Sequence, residues 1–118
     1  MPLTEVDFGA AKPIEGYTAD TFRLDGIAHP APVLFAPGHI LAWGGYPDTA
    51  ALLALTGQID VLFIGTGPQI APIPASLRQT LEAAGLGVEI MASPTACRTY
   101  NVLLSEGRRI AVALLPAG

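Results

Sequence analysis

Two short apolar runs constrain this chain more than anything else in it. Ile59 to Ile64 and Arg109 to Leu115 show no polar alternation, are rich in branched residues and are too short to be helices. Alternation marks a strand with one wet face. Its absence marks a strand buried on both faces, the habit of a largely parallel sheet covered by helices. The residues between the two runs supply those helices. Ala75 to Ala84 places Leu77, Leu81 and Ala84 on one stripe, turns Arg78, Gln79 and Glu82 to water, and stops at Gly85. Val88 to Met91 is the next strand. Ser93-Pro94 then reads as a helix start, with serine as N-cap and proline at the first helical position. Ala96, Cys97, Tyr100, Leu103 and Leu104 form the buried stripe of that helix, and Gly107 ends it. The second apolar run follows as a central or near-central strand.

Ahead of Ile59 the pattern changes. Residues 1–12 show no periodicity and are expected to be a flexible lead-in, leaving 13–118 as a single α/β domain. Thr21 to Asp25 alternates with Phe22 and Leu24 on one face. Asp25-Gly26 is a turn signal and Ile27 to His29 returns, which predicts a β-hairpin. Pro30 and Pro32 donate no ladder hydrogen bonds, so the returning strand belongs at an edge. Val33 to Ala36 and His39 to Trp43 are strand runs split by a Pro37-Gly38 turn. A helix then opens on the N-cap Asp48, runs to Leu55 and closes near Gly57. Strands alternating with short helices predict layers, with helices covering a mixed sheet.

Charge and composition narrow the function classes. A net charge of −4 with only six basic residues leaves no clustered face for a phosphate backbone, so nucleic acid is not the expected partner. Cys97 is the single cysteine, which excludes an intramolecular disulfide and a thiolate metal cage. His29 and His39 show no metal-ligand spacing, and no cofactor fingerprint is present, so neither metal nor cofactor is expected. No apolar run approaches the roughly 18 residues of a membrane span. The acidic start lacks the features of a signal peptide. The expected setting is a bacterial cytoplasm.

The runs Gly65-Thr-Gly67, Leu77 to Gly85 into Val88 to Met91, Ala96-Cys-Arg-Thr-Tyr-Asn-Val-Leu and Glu106-Gly-Arg-Arg-Ile-Ala resemble a family of small uncharacterised domains. That family includes the mitochondrial complex I assembly factor 3 and a vertebrate adipogenesis-associated protein. The resemblance covers residues 13–116 and is most specific at Tyr100-Asn101 and Gly107-Arg108-Arg109. It implies an α/β fold in three layers, with a mixed central sheet of about five strands flanked by helices and an additional N-terminal β-hairpin. For function it implies assembly or interaction proteins, with bacterial members near genes for membrane protein export. It carries no catalytic residue set.

Candidate sites are weighed against ordinary structural roles. Gly65-Thr66-Gly67 follows a buried strand end, where open α/β sheets place ligand crevices, but it lacks the third glycine of a dinucleotide turn and the Lys of a phosphate loop. Ser93, Thr95 and Arg98 open the next helix, whose free N–H groups suit an anion. A crevice between these two segments is the binding or enzymatic alternative, and a turn plus a capped helix is its structural counterpart. Cys97 reads as a buried, inert thiol. Asn101 is expected to satisfy backbone groups of a neighbouring loop, with Tyr100 packing its ring and bonding at its tip. Asp20, Asp25, Asp48 and Asp60 read as turn and cap residues, and His39 as a core or edge residue. No catalytic set assembles. The preferred reading is a non-enzymatic accessory factor acting through an unidentified protein partner, with self-association as a further possibility for so apolar a chain.

Overall fold

A computed structural model describes residues 12–37 and 39–118. Apart from Lys12, the expected lead-in lies outside the described residues, as does Gly38 of the expected turn. The elements in order are β1 (Ile14–Tyr17), β2 (Thr21–Leu24), β3 (Ile27–Pro30), β4 (Val33–Ala36), β5 (His39–Ala42), α1 (Thr49–Leu53), β6 (Val61–Gly65), α2 (Ala75–Ala83), β7 (Gly87–Met91), α3 (Ser93–Ser105) and β8 (Ile110–Leu114).

The central sheet has five strands in the order β5-β4-β8-β6-β7. β6 runs parallel to both β7 and β8, while β4 is antiparallel to β8 and β5, so the sheet is mixed. Both apolar runs lie inside it, as their lack of alternation requires. Successive residues of β8 serve opposite layers. Ile110, Val112 and Leu114 join Val33, Phe35 and Phe63 against α3. Ala111 and Ala113 join Leu34, Leu62 and Ile64 against Leu52 of α1 and Leu77 and Leu81 of α2. Small alanines on that second face let two helices approach a strand that carries bulk on the other.

The N-terminal hairpin is present and larger than the sequence pattern indicates. β2 and β3 pair through the expected Asp25-Gly26 turn, and β1 adds a third strand on the far side of β2. Ile14, Phe22 and Leu24 lay this small sheet onto the α3 face of the core. Asp48 caps α1, its carboxylate accepting from the Ala51 N–H at 3.3 Å and from the Gly44 N–H at 2.9 Å. The helix is one turn and ends at Leu53, earlier than expected.

Candidate functional site

The carboxyl ends of β6, β7 and β8 meet in one corner, and the structure brings Gly65, Thr66, Gly67 and Ser93 together there. Ser93 is not the N-cap expected of it. Ala92 holds that position without a side-chain cap bond, and Ser93 is the first helical residue. Its side chain is fully buried and turned sideways: Oγ accepts from the Gly67 N–H at 3.0 Å and donates to the Leu115 carbonyl at 2.8 Å. The Ser93 N–H donates to the Gly67 carbonyl at 2.7 Å, the Thr66 N–H to Met91 at 2.9 Å, and the Leu115 N–H to Gly65 at 3.0 Å. Thr66 Oγ1 donates to the Gln69 carbonyl and accepts from the Ala71 N–H, folding the proline-rich loop onto the corner. The N–H groups of Thr66, Gly67 and Ser93 and the Ser93 hydroxyl are thus engaged in joining three strand ends. Thr95 and Arg98 stay on the helix surface, Arg98 donating to Thr95 Oγ1 at 3.3 Å, and neither bonds to the Gly65 turn among the described residues.

Further along α3 the expected roles are filled. Asn101 clamps β1: its Oδ1 accepts from the Ile14 N–H and its Nδ2 donates to the Ile14 carbonyl, each at 2.8 Å. The partner is a strand, where the sequence reading names a loop. Tyr100 is fully packed and burial raises its phenol to about 12; its hydroxyl has no hydrogen-bond partner among the described residues. Gly107 follows the C-cap Glu106 of α3 in the left-handed conformation that ends a helix. Cys97 is buried, and desolvation pushes its thiol up to about 12, overriding the opposing pull of the Arg98 guanidinium. Labelling of the native protein by an aromatic disulfide reagent near pH 8 should therefore be on the order of a hundredfold slower than in denaturant. Comparable rates in the two states would show an accessible thiolate.

The other end of the same strands is more open. Ahead of β6 and β8 lies a cavity of about 360 Å³, walled by Leu55, Ile59 and Leu104 and edged by His39, Gln58, Arg108 and Arg109. Arg109 donates to the Gly57 carbonyl at 3.0 Å and stands 3.8 Å from Asp60. A smaller cavity of about 180 Å³ shares His39 and Ala36 with it and reaches Tyr100, with exposed Ile27 and Ile40 at its edge. Its rim carries the Lys12–Asp25 ion pair at 2.6 Å. His39 itself is exposed on the edge strand β5. Sequence reasoning did not single out this end as a site. The available signal was Arg108-Arg109 directly before an apolar strand, the one adjacent basic pair in the chain. Among the described residues no cluster of histidine, cysteine and acidic groups is placed to hold a metal ion.

Comparison with known proteins gives consistent matches. The profile of a family described as a protein of unknown function (DUF498/DUF598) matches residues 14–115. An uncharacterised protein of Rhodobacter capsulatus is 46% identical over 116 residues, covering 98% of this chain and 94% of its own length. NADH dehydrogenase (ubiquinone) 1 alpha subcomplex assembly factor 3 of Danio rerio is 31% identical over 123 residues, covering 98% of this chain and 71% of its own length. Among solved structures, one described as an outer membrane protein from Bartonella henselae superposes with a TM-score of 0.82 at 30% identity, covering 93% of this chain and 98% of that one. A Bordetella pertussis protein described as an Mth938-like domain gives a TM-score of 0.76 at 27% identity, covering 100% of this chain and 90% of that one.

Proposed function

We propose that this chain, which belongs to the DUF498/DUF598 family of proteins of unknown function, is a non-enzymatic accessory factor that acts through protein contacts in the assembly of a membrane complex. The observation that carries this reading is the similarity to assembly factor 3, which extends over 98% of the chain and so includes every layer of the fold. Local chemistry supports it. The nucleophiles a reaction would draw on are committed elsewhere: the Ser93 hydroxyl joins two strand ends, and the Cys97 thiol is buried with its acidity suppressed. His39 has no hydrogen-bond partner among the described residues that could orient it as a base. What the molecule does offer to a partner is β5, an edge strand whose outer side pairs with no other strand among the described residues, with Ile40 46% exposed and no charged residue or proline in its His39–Ala42 span.

The test is affinity purification of the tagged chain from its native host in mild detergent. Reproducible recovery of subunits of one membrane complex or of export machinery is the expected result. Recovery of a stoichiometric metabolite with no protein would favour a small-molecule role instead. The proposal places the protein in the cytoplasm, and fractionation of the same cells checks that separately.

A further inference from the structure

We propose that the cavity at the amino ends of β6 and β8 binds a carboxylate carried on a short apolar body. The distribution of charge is the first observation. In a chain of net charge −4 with six basic residues, two arginines and His39 line this one cavity, and no aspartate or glutamate does. The second is the state of those cations. Lys12 pairs with Asp25, Arg23 donates to the Gly26 carbonyl, Arg78 pairs with Glu82, Arg98 donates to Thr95, and Arg109 donates to the Gly57 carbonyl and pairs with Asp60. Alone among these side chains, the Arg108 guanidinium makes no hydrogen bond or ion pair among the described residues; only its backbone N–H is engaged, donating to the Leu103 carbonyl. An arginine presents five donors in a rigid fork that matches the two oxygens of a carboxylate, and pairing converts a solvated charge into directed hydrogen bonds.

The third observation selects the rest of the ligand. Leu55, Ile59 and Leu104 wall the cavity, so a bare phosphate would lose hydration against apolar surface and gain few donors in return. An aliphatic or aromatic body fills that space while its carboxylate stays at the arginine rim. The volume, about 360 Å³, sits at the small end of the range for ligand pockets. Arg109 is already held by the Gly57 carbonyl and by Asp60, so the contact with the carboxylate falls to Arg108. The carboxylate can belong to a free acid or to an acidic side chain of a bound protein. The site is independent of the assembly role, because it rests on the cavity alone.

Titration of isotope-labelled protein with hexanoate and benzoate, followed by NMR at the amides of Gln58, Gly107, Arg108 and Arg109, tests this directly. Hexanamide and benzamide serve as uncharged isosteres, and inorganic phosphate as a bare anion. The expected result is saturable shifts with the acids at millimolar concentration, about tenfold weaker for the amides and for Arg108→Gln, as for loss of one charge-assisted contact. Arg108 is exposed, so its replacement should leave the spectrum native elsewhere. An acetylated Leu-Glu-Leu amide separates the sources: tighter binding than hexanoate assigns the site to a protein side chain, and weaker binding assigns it to a free acid. Equal response to acids and amides, a phosphate response as strong as the acids, unchanged affinity in Arg108→Gln or no saturable shift overturns the proposal.

Discussion

Replacing Gly65 by alanine should lower the melting temperature by roughly 10 °C or more, the effect of overpacking by about 3 kcal/mol in a domain of this size. The reason is space. A Cβ at Gly65 would sit 2.7 Å from Ser93 Oγ, 2.8 Å from Leu114 Cδ2 and 2.8 Å from the Ser93 Cα. The leucine methyl can swing away. The Ser93 backbone cannot move without disturbing the start of α3, and its hydroxyl is pinned by two buried hydrogen bonds. Relief must therefore come from pulling β6 away from the helix, which would strain the Leu115-to-Gly65 and Ser93-to-Gly67 bonds together. Gly16 provides the control, because a Cβ there meets nothing within 4 Å and Gly16→Ala should be neutral or slightly stabilising. A Gly65→Ala protein that melts within about 2 °C of the parent would show that the corner yields far more easily than packed interiors do.

That corner also shows where sequence reasoning reaches its limit. The strand before it, the helix after it and their order were legible because burial on both faces and a 3.6-residue stripe leave marks along the chain. Gly65-Thr66-Gly67 is harder to read, because two glycines adjoin one threonine for different reasons. Gly67 has φ of +116°, a backbone conformation that side chains resist, whereas Gly65 is glycine because another element crosses close by. The second cause lies 28 residues away, at Ser93, and leaves no local trace. Ser93 misleads in the same way. Ser-Pro at a helix start is read as a cap because that is the local role of serine, but its hydroxyl is taken by chain segments that only the tertiary fold brings near. β1 was missed because four residues with a glycine and one buried side chain carry too little alternation. The cavity at the arginine turn was invisible for a related reason: it is built from three stretches far apart in sequence, around Ala36 and His39, from Leu55 to Ile59, and from Leu104 to Arg109. Cys97 and Asn101, by contrast, were readable because their helix position already says which way they face.

Asn101→Ala carries the second large effect. Its amide bonds both backbone groups of Ile14 across 87 residues of sequence, acting as a side-chain substitute for a neighbouring strand along the outer edge of β1. The Oδ1 and Nδ2 positions are dictated by these partners, since the flipped amide would set N–H against N–H and oxygen against oxygen. Truncation leaves a donor and an acceptor partly buried without partners, at about 1–2 kcal/mol each, so the melting temperature should fall by roughly 10 °C. The loss should be local in its first consequence. β1 is held on one side by β2, with an irregular register between Ile14 and Gly16, so the Ile14 amide should exchange with solvent far faster while β8 amides keep most of their protection. Asn101→Asp separates hydrogen bonding from packing. A carboxylate retains the acceptor for the Ile14 N–H but presents a second negative oxygen to the Ile14 carbonyl, which favours the protonated form and raises the folded-state pKa of the new group. A raised folded pKa gives stability that is fully present below the unfolded value and lost as pH climbs through the folded one. The aspartate variant should therefore approach the parent in acid and fall away from it toward neutrality, while the alanine variant keeps a constant deficit. Parallel stability curves for the two variants across that range would mean that the Ile14 carbonyl does not depend on the donor at Asn101.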